Sequence, residues 1–203
     1  MKNNYTFRLA KQEDAKELVE IYAPFVISED NTVSDVSFEY EVPTVEEFAG
    51  RIKKVAAAYP YIVCEQDGKA VGYVYAHPYI ERAAYQWGAE VTVYLSPAAQ
   101  GKGIGRVMYT ALEKILRMQG IVTLYSCITA SNDHSVKMHE AAGYKIIGDF
   151  KNAGFKHGHW LDMVWMEKNI APHSAKPEPV KKISEISQSE IEGILMEAAL
   201  MLQ

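Results

Sequence analysis

The run Gln100-Gly101-Lys102-Gly103-Ile104-Gly105 lies between a strand-like segment and a strongly patterned helix. Glycines there let the backbone turn its N–H groups inward and approach an anion with no Cβ in the way. The start of the following helix adds partial positive charge at the same point, and Lys102 adds a full one. The chemistry implied is a diphosphate cradle. A plain tight turn has a similar composition, so on its own the run leaves both readings open. Its spacing differs from G-x-x-x-x-G-K-[ST], and it lacks the first-strand position and downstream acid of a dinucleotide fingerprint, which removes both of those nucleotide sites. His157 and His159 alternate as metal ligands can, but no third ligand accompanies them, and no metal is expected.

These residues need elements to hold them. Thr6 to Leu9 reads as a first strand, followed by an acidic helix start at Lys11 to Asp14 and an apolar stripe of Ala15, Leu18, Val19 and Tyr22 that Pro24 ends. Thr44 with Glu47 forms a capping box for a second helix. A hairpin follows: Tyr61 to Glu65, a turn at Asp67-Gly68, then Ala70 to His77. Ala89 to Leu95 is the next strand. The helix from about Gly103 to Gln119 carries Ile104, Val107, Met108, Ala111, Leu112, Ile115 and Leu116 at the 3.6 period, with Gly120 to end it. Val122 to Cys127 reads as a strand, Asn132 to Ala142 as a short helix, and Tyr144 to Phe150 and Leu161 to Glu167 as strands joined by a loop containing Gly154 and Gly158. The sum is an α+β fold, a central mixed sheet with helices on its faces.

Composition bounds the rest. The chain has 203 residues, enough for one substantial core, and a formal net charge of −5 that argues against a nucleic-acid surface. Cys64 and Cys127 sit in apolar runs and read as buried free thiols in core strands, as in a reducing cytosol. With no apolar leader and no long apolar stretch, a soluble, cytoplasmic protein off the membrane is expected. Residues 1–170 read as the catalytic domain. Pro172, Pro177 and Pro179 mark a linker over 171–187, and 188–203 reads as an amphipathic helix outside the catalytic unit, with Ile191, Ile194, Leu195, Ala198 and Leu202 on one face.

Val91-Thr92-Val93-Tyr94-Leu95 followed by the glycine-rich run resembles the Q/R-x-x-G-x-G/A element of the GNAT acetyltransferase superfamily. Asn132, Met138-His139-Glu140 and Gly143-Tyr144 resemble its second landmark. Over about Phe7 to Lys168 the order of elements is also similar. Three segments resemble the phosphinothricin and methionine sulfoximine acetyltransferase branch: Arg82 to Trp87, Glu90 to Leu95, and Ala153-Gly154-Phe155-Lys156-His157-Gly158-His159-Trp160-Leu161-Asp162.

The resemblance implies a mostly antiparallel sheet flanked by helices on both faces, acetyl-CoA as co-substrate and a small-molecule amine as acceptor. It implies that main-chain groups of Val93, Tyr94 and Leu95 hold the pantetheine arm. The amides of Gly101, Lys102, Gly103, Ile104, Gly105 and Arg106 would hold the pyrophosphate, and Asn132 would contact the cofactor arm, a role compatible with an N-cap. Glu90 is implied as the general base that makes the ammonium acceptor a neutral amine. An exposed charge at a strand start is the other reading of that residue. His139 stands where many members carry a tyrosine that protonates the departing thiolate. Phe38, Arg82, Tyr85 and Thr92 are implied at the acceptor site, where an arginine fork suits a carboxylate. Ile80 departs from the lysine that phosphinothricin acetyltransferases can carry there. A homodimer is expected, through the His157–His159 region or the tail. The rival functions are acetylation of peptides or proteins, which needs an open groove, and acetyl-CoA binding without catalysis, with the tail docking a partner.

Overall fold

Residues 4–27 and 34–202 are described by the computed structural model of this chain. Seven strands form one sheet in the order β1-β2-β3-β4-β5-β7-β6. They are β1 (Tyr5–Leu9), β2 (Tyr61–Gln66), β3 (Lys69–Pro78), β4 (Gly88–Leu95), β5 (Thr123–Thr129), β6 (Lys145–Lys156) and β7 (His159–Asn169). Every neighbouring pair is antiparallel except β4 with β5. The helices are α1 (Ala15–Tyr22), α2 (Val45–Ala56), α3 (Ile104–Gln119), α4 (Asp133–Ala141) and α5 (Gln188–Leu200).

Strand alternation divides the core between the two faces. Ile62, Cys64, Val74 and Val91 point toward α3 and α5, while Tyr61, Val63 and Tyr73 point toward α1 and α2. The mixed, mostly antiparallel sheet with helices on both faces is therefore as expected. The caps follow the sequence closely. Glu47 N–H donates to Thr44 Oγ1 while the Glu47 carboxylate accepts from Thr44 N–H, and Gly120 closes α3 at φ 94°.

In two places the structure departs from expectation. Gly154 lies within β6, not in a loop; β6 and β7 join at His157-Gly158, whose φ values of 45° and 92° suit a tight two-residue hairpin turn. The expected 171–187 linker and tail helix do not stand apart from the sheet. Trp87 Nε1 donates to the Glu178 carbonyl at 2.8 Å, and Lys181 N–H to the Gln119 carbonyl at 2.8 Å. The Gln119 amide in turn donates to the carbonyls of Ala58 and Lys181. Ile183, Ile191, Leu195 and Ala198 are buried in the core cluster of β1 and α3. The apolar stripe was legible, but a proline-rich segment does not disclose which surface it follows.

Candidate active site

Strands β4 and β5 pair only at Gly88 with Thr123, Ala89 with Leu124 and Glu90 with Tyr125. Beyond Glu90 they part. β4 runs on to Leu95 paired with β3 alone, and β5 runs to Thr129 paired with β7. The far edge of β4 is left with unpaired backbone groups, and the gap is a cavity of about 520 Å³. Glu90, Thr92, Val93 and Tyr94 line it from β4, Ser126 to Thr129 from β5, and Asn132, Ser135 and His139 from the start and body of α4. Cys127 is therefore half-buried at this cavity, whereas Cys64 is in the core as expected; both thiols are free.

At the end of β4 the glycine-rich turn is anchored by Gln100 Nε2, which donates to the Leu95 carbonyl at 3.3 Å. Gly101 and Gly103 hold φ of 73° and 79°, which L side chains rarely adopt, and open space stands where each Cβ would be. Gly105 packs on Leu95. Among the described residues no amide from Gly101 to Arg106 donates to a carbonyl; the first such bond is Val107 N–H to Gly103. A bundle of free donors thus sits on the positive end of a 16-residue helix whose first turn holds no acid, flanked by the exposed side chains of Lys102 and Arg106. Asn132 caps α4 through its Oδ1, which accepts from Ser135 N–H at 3.2 Å, and also lines the cavity. These groups suit a diphosphate with a long polar arm.

Glu90 is the last β4 residue to pair with β5, so its carboxylate stands where the strands diverge; its side chain is 20% exposed. Burial raises its pKa, opposed by His77, whose Nε2 lies 3.9 Å from Oε2. His77 is its cross-strand partner on β3. A carboxylate so placed can take a proton from an amine near neutral pH.

His139 is 3% exposed. Its Nδ1 lies 2.8 Å from the Ser135 carbonyl, which can only accept, so Nδ1 carries the proton. Nε2, 2.8 Å from the Tyr109 hydroxyl, is then the acceptor, and Tyr109 donates to it. Burial keeps the imidazole pKa below its usual value, consistent with a neutral ring. Tyr109, from the middle of α3, also reaches the cavity. Sequence reasoning missed it, because at its position the helical period reads simply as core.

The acceptor side is assembled from distant segments. Phe38 lines the cavity and lies over Gly154 of β6, where a Cβ would collide with its ring. Ser37 Oγ meets the Tyr22 hydroxyl at 2.6 Å. Lys156, 1% exposed, donates to the carbonyls of Ser34 and Ser37 at 2.6 Å each and of Val26 at 3.3 Å. Tyr40 and His159 add bonds to the Phe155 carbonyl and to Asp35. The Gly154-to-His159 motif thus pins the segment that carries Phe38. His159 faces Asp35, and the described residues contain no cluster able to hold a metal. Arg82 and Tyr85 do not reach this cavity. Both are exposed near the turn before β4, and Tyr85 packs on Tyr79, which stacks on Tyr125.

Comparison with known proteins shows the family and the fold. Residues 7–165 match the family described as acetyltransferase (GNAT) domain. A phosphinothricin N-acetyltransferase of Streptomyces viridochromogenes is 37% identical over 153 residues, 75% of this chain and 83% of the relative. An L-methionine sulfoximine/L-methionine sulfone acetyltransferase of Salmonella typhimurium is 28% identical over 84% of this chain and 97% of the relative. The crystal structure of a Sinorhizobium meliloti phosphinothricin acetyltransferase in complex with AcCoA superposes with a TM-score of 0.78 at 32% identity, covering 88% of this chain and 94% of the other. The chain belongs to the GNAT acetyltransferase family and is an N-acetyltransferase that uses acetyl-CoA.

Proposed function

We propose that this enzyme acetylates the amine of a small amino-acid-like molecule, of the phosphinothricin or methionine sulfoximine type, by direct attack on the thioester with Glu90 as general base. The observation that carries the reading is the position of Glu90 at the point where β4 leaves β5, on the strand whose unpaired edge leads to the free amides of Gly101 to Arg106. The named activities of the similar proteins support the acceptor class.

Acetyl-CoA supplies the activated acyl carbon. The chain's own groups do the rest. Amides of Gly101 to Arg106 bind the diphosphate, and the backbone of Val93, Tyr94 and Leu95 with the Asn132 side chain orients the arm. Glu90 takes a proton from the ammonium, the freed amine forms the C–N bond, and the C–S bond breaks. The leaving sulfur then needs a proton. Because Nδ1–H of His139 is committed to Ser135 and the ring is neutral, the proton comes from the Tyr109 hydroxyl, which His139 Nε2 orients toward its place at the cavity. Tyr109 gives that proton to sulfur, and its oxygen is reprotonated from solvent. Thr92 and Phe38 line the acceptor side.

The enzyme is further proposed to act as a homodimer. Edge strand β6 and its hairpin expose Ile146, Phe150, Phe155 and Trp160 by about half or more, a row suited to a second copy. Arg82 and Tyr85 remain proposed acceptor contacts, although this chain's own cavity does not include them. A cytoplasmic location suits the free thiols of Cys64 and Cys127. No helix among the described residues is long and apolar enough to cross a membrane.

The test is thiol release from acetyl-CoA with phosphinothricin, methionine sulfoximine and methionine sulfone beside short peptides. Turnover of the amino-acid analogues is expected; turnover confined to peptides rejects the acceptor class.

A further inference from the structure

A second cavity, of about 360 Å³, lies between α2 and β3 on the face of the sheet that carries α1 and α2. It shares Tyr75 and His77 as walls with the cavity of Glu90, and His77 is the residue opposite Glu90 on β3. Its outer rim is Lys54 and Glu81, both largely exposed. The two cavities are therefore neighbours on one face of the sheet, with Tyr75 and His77 between them.

Its wall is aromatic. Tyr61 stacks on Tyr75 at 4.7 Å and 13°, and on Tyr73 at 5.7 Å and 29°. Tyr61 and Tyr73 are 3% and 1% exposed, yet neither hydroxyl has a hydrogen-bond partner among the described residues. Both residues line the chamber. Buried hydroxyls are ordinarily paired, and two unpaired ones in one aromatic wall call for a partner that enters from outside. On the lining Arg51 is matched by Glu39, while Lys54 and Glu81 stand in solvent at the rim. What fits is planar, uncharged and hydrogen-bonding.

We propose that this chamber is the side-chain subsite of the acceptor and takes a phenolic ring, so that a hydroxyaryl amino acid sets its nitrogen at Glu90 and its hydroxyl against Tyr61 and Tyr73. The proposal rests on the acetyl transfer argued above and extends its acceptors to a second kind of amino acid.

The experiment compares kcat/KM for tyrosine and phenylalanine in the wild type and in Tyr61→Phe and Tyr73→Phe. A preference for tyrosine of roughly tenfold is expected in the wild type, falling toward unity in each variant. Both substrates are read in one sample, so partial loss of folded protein cancels from the ratio. Calorimetry with 4-ethylphenol, which has the ring and hydroxyl but no amine, reads the chamber without catalysis; binding should weaken several-fold in Tyr73→Phe. Equal use of tyrosine and phenylalanine, or a ratio that the variants leave unmoved, overturns the proposal. If no amine is acetylated while 4-ethylphenol binds as described, the chamber stands and the reaction falls. If amines are acetylated but 4-ethylphenol does not bind, the reaction stands and the chamber falls.

Discussion

The two halves of the proposed active site are built from different materials. The donor half is mostly backbone: unpaired groups along β4, the free amides of Gly101 to Arg106, and the end of one helix. The acceptor half is mostly side chains, gathered from α1, the 34–40 segment, β3, β4 and the β6–β7 hairpin. Backbone recognition needs only local features, such as glycines at positive φ and a helix start, so one short run of sequence can encode it. A side-chain pocket needs long-range placement. It is correspondingly easier to alter without disturbing the donor.

This contrast can be broken or sharpened by substitution. Glu90→Gln should have the largest effect, lowering kcat by about 10²–10⁴ while acetyl-CoA still binds. Stopped-flow or steady-state rates beside a cofactor titration check this, and equal losses in rate and cofactor affinity would merge the two halves. Lys156→Met removes the donor that three carbonyls share, and should cost roughly 1–3 kcal/mol of stability. It should raise KM for the amine and leave KM for acetyl-CoA nearly unchanged, with urea unfolding measured alongside. Gly103→Ala meets no neighbour but must hold φ near 79°, a strain of about 1–2 kcal/mol. Here the expectation is reversed: a several-fold higher KM for acetyl-CoA with the amine KM unmoved.

The smallest effect is on pH. As the proposed base Glu90 works when ionised, and burial has raised its pKa, so kcat/KM should fall as pH drops through a value above the ordinary carboxylate range. His77 opposes that rise. In His77→Phe the acid limb of the profile should move to higher pH; a limb that stays put would remove His77 from the acceptor half.

The same contrast explains what the sequence made legible. The glycine-rich run, the Thr44–Glu47 cap and the Gly120 stop are local devices, and each is found where its residues stand. The role of Lys156 was not legible, because a lysine in a strand announces nothing about carbonyls more than a hundred residues earlier in the chain. Tyr109 was hidden by its own helix, whose period accounts for it fully as core. Arg82 and Tyr85 show the reverse case, since their chemistry suits an acceptor contact while this chain's own cavity does not include them. The proline-rich tail misled similarly, since its composition describes a solvated linker while its partners Ala58, Gln119 and Trp87 lie far away in sequence.

The row of unpaired backbone groups along β4 has a consequence beyond catalysis. It is a strand edge in the interior of a sheet, and the donor substrate is the molecule expected to cover it. By mass action, a ligand at a hundred times its dissociation constant adds about 2.7 kcal/mol to the folded state. The melting temperature of this enzyme should therefore track the acetyl-CoA supply, and scarcity of the donor would thin the folded population as well as slow its turnover.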